Sequence, residues 1–100
     1  MKYRVMPAAA EDMRQIVRRF RDLQKSPQSA TLVARRLRDA FRKLTRLPKL
    51  GHVREELRDA NARVLPVTGL LVIYDPTLKP LTILRVVHGA RDLRRIVARE

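Results

Sequence analysis

Four side chains in the last third of the sequence carry the groups that acid–base work on a phosphodiester requires: Tyr74, Arg85, His88 and Arg91. A metal-free ribonuclease needs a general base, a general acid and cations over the scissile phosphate. His88 and Tyr74 could move protons, and Arg85 and Arg91 could hold the phosphate. The same residues have a plainer use. His88 and Arg91 can fix a strand-to-helix corner by hydrogen bonds, with Asp92 capping the helix that follows. Tyr74 closes an apolar run, where a tyrosine is commonly a core ring with its hydroxyl at the edge. Other chemistry is hard to assemble. Gly-x-Ser-x-Gly, the P-loop and His-Glu-x-x-His are all missing from the sequence. Glu11-Asp12 and Glu55-Glu56 are sequence neighbours, so on a helix they diverge and make no acid/base dyad. With no cysteine and only two histidines, neither a disulfide framework nor a structural zinc site is expected, and no cofactor or metal is implied.

The elements that must position these groups follow from periodicity. Lys2 to Met6 reads as a first strand ended by Pro7. Ala8 to about Gln24 is helical, with Met13, Ile16, Val17, Phe20 and Leu23 on one apolar face and Arg14, Arg18, Arg21 and Lys25 in a basic stripe beside it. Ser26-Pro27 gives an N-cap and a first-turn proline. The second helix, Pro27 to Leu47, buries Ala30, Val33, Leu37, Ala40, Phe41 and Leu44 and presents Arg35, Arg38, Arg42, Lys43 and Arg46. So short a break predicts an antiparallel helical hairpin. Lys49 to Asn61 is a polar connector around Gly51, with one helical turn near Glu55 to Arg58, and His52 is expected to be a solvated loop residue. Arg63 to Val67 contains Pro66, which suits a sheet edge or a bulge better than a central position. Thr68-Gly69 is a hairpin turn, Leu70 to Asp75 is apolar enough to be buried on both faces, and Pro76 to Pro80 is a loop. Leu81 to His88 forms the last strand and Arg91 to Ala98 a terminal helix. The order β-α-α-β-β-β-α predicts an α+β fold: a helical hairpin on a small, mostly antiparallel four-stranded sheet, with residues 1–100 as a single domain.

The charge narrows the partners. Lys and Arg number 23 against 10 Asp and Glu, a formal net charge of +13. That balance calls for a polyanionic partner, nucleic acid or an acidic protein, although a GC-rich coding sequence also favours arginine. Aromatics are few, so single-strand binding by base stacking is poorly supported. No apolar run reaches the roughly 20 residues of a membrane span, and no leader pattern is seen. A cytoplasmic protein without membrane contact is expected.

The ending Ile83-Leu84-Arg85-Val86-Val87-His88-Gly89-Ala90-Arg91-Asp92-Leu93 resembles the RelE/ParE family of toxins from bacterial type II toxin–antitoxin modules, and its His-Gly-x-Arg-Asp resembles the ParE branch in particular. Pro48 to Gly51 looks like the family's Pro-x-x-Gly turn, and Glu56-Leu57-Arg58 like the Glu-Leu-Arg that follows it. Arg63 to Val67 with Leu70 to Tyr74 is similar to the family's middle hairpin, which usually ends in Tyr. Ala10-Glu11-Asp12 with Ile16 fits the start of the first helix. The resemblance implies a toxin neutralised by a cognate acidic antitoxin, ParD-like or similar, in a hetero-oligomeric complex. ParE-like members poison DNA gyrase, whereas RelE-like members cut messenger RNA in the ribosome.

Departures from the pattern favour the gyrase branch. RelE-like nucleases tend to carry an arginine in the middle strand, about where this sequence has Leu70 and Leu71, and often an aromatic near the C-terminus. Arg63 across the hairpin could replace that arginine, and Glu56 and Arg58 fit the nuclease pattern. Asp75-Pro76 differs from the arginine often found after the tyrosine. The leading expectation is a gyrase poison without an active site, whose target surface comprises Arg85, His88, Arg91, Arg94 and Arg95, with Gly89 and Asp92 forming a structural corner. Charge reversal at Arg85 and Arg91 is expected to abolish toxicity and spare the fold. The antitoxin is expected on Arg14, Arg18, Arg21, Arg38 and Arg42. The alternative is a ribosome-dependent endoribonuclease using His88, Arg91, Tyr74 and Arg63. A third reading is a non-toxic module that only binds its antitoxin.

Overall fold

A computed structural model describes residues 2–23, 27–57 and 59–89. Strand β1 is Tyr3–Val5, helix α1 Pro7–Leu23, helix α2 Pro27–Arg46, and a 3-10 turn covers Glu55–Leu57. Strands β2 (Arg63–Val67), β3 (Leu70–Asp75) and β4 (Leu81–Val87) follow. Pro7 both ends the strand and begins the helix, where its missing N–H costs nothing. The expected terminal helix, Arg91 to Ala98, lies outside the described residues.

The sheet order is β1-β4-β3-β2. β1 runs parallel to β4, while β2, β3 and β4 form an antiparallel meander. The chain crosses the sheet through the helical hairpin, which is what brings the first and last strands together. β3 and β4 are therefore interior, and β3 is buried along nearly its whole length. β2 is an edge strand, and two devices close that edge. Val64 and His52 exchange both backbone hydrogen bonds, at 2.8 and 2.9 Å. Two residues on, Pro66 has no N–H to offer. His52 is exposed at its side chain, as a loop residue would be, but its backbone extends the sheet.

Both helices pack on one face of the sheet. Ala9 and Ile16 of α1 and Val33, Leu37, Phe41 and Leu44 of α2 meet Leu70, Val72, Tyr74, Leu81, Ile83 and Val86. Tyr3 and Phe41 lock β1 to α2 edge-to-face, with ring centroids 5.4 Å apart. On the opposite face Leu57, Ala62, Val64, Ile73 and Val87 form a second, smaller cluster. Ile83 and Val86 both join the helix-side core although they are three positions apart. Strict alternation would put them on opposite faces. A bulge resolves this: Ile83 pairs with Tyr74 and Arg85 with Ile73, leaving Leu84 as an extra residue.

Candidate functional site

The candidate surface begins where β1 stops. β1 pairs with β4 only as far as Val5 opposite Ile83, with Met6 N–H donating to the Ile83 carbonyl at 3.0 Å. From there the chain leaves the sheet as α1, and the rest of β4 would be an open edge on that side. Asp12 of α1 fills the step. Its carboxylate accepts Arg85 Nε at 2.7 Å, Arg85 Nη2 at 3.0 Å and the backbone N–H of Val86 at 3.0 Å. One side chain thus holds the guanidinium in the bidentate fork that arginine favours and also satisfies an edge donor. Both side chains are largely shielded, at 29% exposure for Arg85 and 15% for Asp12. The Asp12 carboxylate raises the pKa of Arg85 further. The cation expected to face a target is therefore fastened to the protein's own helix. Reversing its charge would set two carboxylates against each other, so the expectation that reversal at Arg85 spares the fold is corrected here.

His88 follows directly and is exposed. Gly89 adopts φ +111°, a conformation side chains rarely take, and among the described residues an added Cβ there would meet nothing within 4 Å. Glycine is thus favoured by backbone angle and not by crowding. Arg91, Asp92, Arg94 and Arg95 lie outside the described residues. What the structure brings together at this end of β4 is Arg85, His88 and, from α1, Asp12. Asp12 escaped sequence reading because its partner is 73 positions away, and an acidic residue among arginines on a helix is ordinarily explained by local ion pairs.

Tyr74 and Arg63, the other two nuclease candidates, sit together at a different place. Tyr74 is fully buried. Its hydroxyl accepts the Gly51 N–H at 2.8 Å and donates to the Pro48 carbonyl at 2.8 Å. Arg63 Nη1 donates to the Gly51 carbonyl at 2.8 Å. The Pro48–Gly51 turn is thereby clamped onto the β2–β3 hairpin from both sides. A Cβ on Gly51 would lie 2.7 Å from the Tyr74 hydroxyl and 2.9 Å from the Val64 carbonyl oxygen, so the glycine is required by space. Burial, only partly opposed by the Gly51 hydrogen bond and the Arg63 charge, pushes the phenol pKa up. A phenol so engaged is a structural lock with no free proton to offer a substrate. Among the described residues, no buried side-chain polar atom lacks a partner.

The helical arginines divide in a way that periodicity alone did not separate. α1 carries Arg14, Arg18, Arg19 and Arg21 among Glu11, Asp12 and Asp22. Arg14 pairs with Glu11 at 2.8 Å and Arg21 with Asp22 at 3.4 Å, and the Arg14 contact lowers the Glu11 pKa. α2 carries six cations and a single acid, Asp39, which lies 3.9 Å from Arg42. Arg36 turns sideways and donates to the Thr68 hydroxyl at 3.2 Å. A shallow groove of about 450 Å³ lies along the N-terminal half of α2, lined by Gln28, Thr31, Leu32 and Arg35. Among the described residues, no helix is long and apolar enough to cross a membrane.

Residues 3–93 match the family described as ParE toxin of type II toxin-antitoxin system, parDE. Among solved structures, the chain is similar to one from "Chromosomal ParDE TA system from P. aeruginosa", with a TM-score of 0.73 and 17% identity over 90% of this chain and 97% of that one. At that identity the likeness is one of fold. Among curated proteins none matches.

Proposed function

Since this chain belongs to the ParE toxin family of type II toxin–antitoxin systems, we propose that it arrests growth by binding DNA gyrase and is held inactive by a cognate acidic antitoxin. The observation that carries the reading is the family match over residues 3–93. The gyrase branch of it draws support from the chemistry of β3. That strand is aliphatic up to Tyr74, the Tyr74 hydroxyl is engaged at both lone pair and proton, and Arg63 is drawn to Gly51. Two of the four groups a nuclease would use thus hold a turn instead. The target surface is the exit of β4 around His88, continued by Arg91, Arg94 and Arg95, with Arg85 fixing the strand beneath it. The antitoxin meets the outer wall of the helical hairpin at Arg14, Arg18, Arg21, Arg38 and Arg42. Acidic side chains there steer association and lower the net charge of the complex.

The test is a pulse-label of DNA and protein synthesis immediately after the chain is induced without an antitoxin. DNA synthesis falling first, followed by inhibition of purified gyrase in a supercoiling assay, is the expected result. Protein synthesis falling first, with cleaved transcripts, would replace gyrase by the ribosome. Growth unaffected by well-expressed, folded protein would leave a module that only binds its antitoxin.

A further inference from the structure

From Arg35 to Arg46, every exposed side chain of α2 is charged: Arg35, Arg36, Arg38, Asp39, Arg42, Lys43 and Arg46. With Arg36 turned to Thr68 and Arg42 shared with Asp39, Arg35, Arg38, Lys43 and Arg46 have no ionic partner among the described residues. We propose that this outward face of α2 is a phosphate-binding surface for duplex DNA, independent of which macromolecule the toxin inhibits.

Three features favour DNA over an acidic protein. The stretch contains no exposed large apolar residue; among the described side chains of the helices only Leu32, one turn nearer the N-terminus, is a large exposed apolar one. Protein interfaces draw their energy from apolar or aromatic anchors in desolvated pockets, which this stretch lacks. Phosphate contacts need none, and arginine is their preferred donor. The spacing is also suitable. The helix from Arg35 to Arg46 spans about 16 Å, a length over which a duplex presents roughly ten phosphate charges. Finally, the cations are held at fixed spacing. α2 is pinned by Val33, Leu37, Phe41 and Leu44 in the core, so docking orders only their side chains. The antitoxin surface proposed above overlaps this face only at Arg38 and Arg42, which allows the two to be tested separately.

The experiment uses the purified full chain and a fluorescent 20-base-pair DNA duplex, with anisotropy read between about 50 and 200 mM salt. Five contacts, from Arg35, Arg38, Arg42, Lys43 and Arg46, predict a log–log salt slope of about −4.5, and R35Q/K43Q/R46Q should reduce its magnitude by about 2.7. The triple variant should also bind at least tenfold more weakly at 100 mM salt. R14Q/R18Q/R21Q removes the same charge from α1 and should change DNA affinity less than threefold. Circular dichroism checks that both variants are folded, since glutamine and arginine have similar helix propensities. Equal losses from the two triples would reduce the effect to bulk charge and overturn the proposal. So would tighter binding to an RNA duplex of the same sequence. An α2 triple that kept DNA affinity but lost an acidic antitoxin would overturn it too, assigning the face to protein. Failure of the gyrase assay leaves this result untouched.

Discussion

Replacing either member of the Asp12–Arg85 pair should weaken the fold measurably, and the two replacements should be coupled. The Asp12 carboxylate receives three hydrogen bonds, two from the Arg85 guanidinium and one from Val86 N–H. Breaking a fully buried ion pair costs roughly 3–5 kcal/mol. Here the side chains keep 29% and 15% exposure, so water re-solvates part of whatever is left unpaired, and the expectation falls to about 2–3 kcal/mol for Asp12→Ala. Arg85→Ala leaves Asp12 its bond to Val86 and should cost less, about 1.5–2 kcal/mol. The double variant should lose less than the sum, with a coupling of about 1–2 kcal/mol. In a domain of this size each kcal/mol lowers Tm by roughly 4–8 °C, so Asp12→Ala should melt about 10–20 °C early. Urea unfolding of the four proteins measures the cycle, with unchanged m-values as the control. Single variants within about 0.5 kcal/mol of the parent, or strictly additive losses, would refute the reasoning. There is a functional corollary. Loss of toxicity in Arg85→Glu reports on folding as much as on target binding, so it is read only beside the melting curve of the same variant.

Tyr74→Phe strands the buried Gly51 N–H and should cost about 1–3 kcal/mol, measured by thermal melting. The raised Tyr74 pKa also gives stability a sign at alkaline pH. The phenol ionises more easily in the unfolded chain, so stability is full below about pH 10 and falls above it. The decline, at most about 1.4 kcal/mol per pH unit from this group, should shrink in Tyr74→Phe; an unchanged alkaline limb would count against the lock. Gly51→Ala pushes a methyl into the Tyr74 ring and the Val64 carbonyl and should lose about 2–3 kcal/mol by the same measurement. Thr68 sits at φ +47°, where a β-branched residue is strained. Thr68→Asn should therefore raise stability by about 0.5–1 kcal/mol, and a loss would show that the Arg36 contact outweighs the strain. Antitoxin association should slow about tenfold in R14Q/R18Q/R21Q at 50 mM salt and recover toward parity at 0.5 M, followed by stopped-flow mixing.

The sequence by itself determined the elements and much of their order in space. Apolar residues at helical spacing, Ser26-Pro27, Pro48, Thr68-Gly69 and Pro80 are local signals, and local chemistry set the ends of α1, α2, β2 and β3 to within a residue or two. Pro66 marked β2 as an edge because a missing N–H is visible in the residue type alone. The family could be named from short motifs, two of which, Pro48–Gly51 and His88-Gly89, lie at a turn and a strand exit where the backbone constrains the residue. Tertiary structure decided everything that depends on distant partners. Nothing near Asp12 in the chain announces Arg85, and nothing near Tyr74 announces Gly51; those pairs exist because the hairpin crossover lays β1 against β4 and the connector against β2. The bulge at Leu84 likewise reconciles two buried residues with an alternation they would break. The uneven neutralisation of the two helices is local by contrast: Glu11–Arg14, Arg21–Asp22 and Asp39–Arg42 each lie within one helical turn and are legible in the sequence. Tertiary structure added that Arg36 is drawn to Thr68, 32 positions away, and that burial of Val33, Leu37, Phe41 and Leu44 turns the remaining cations of α2 outward.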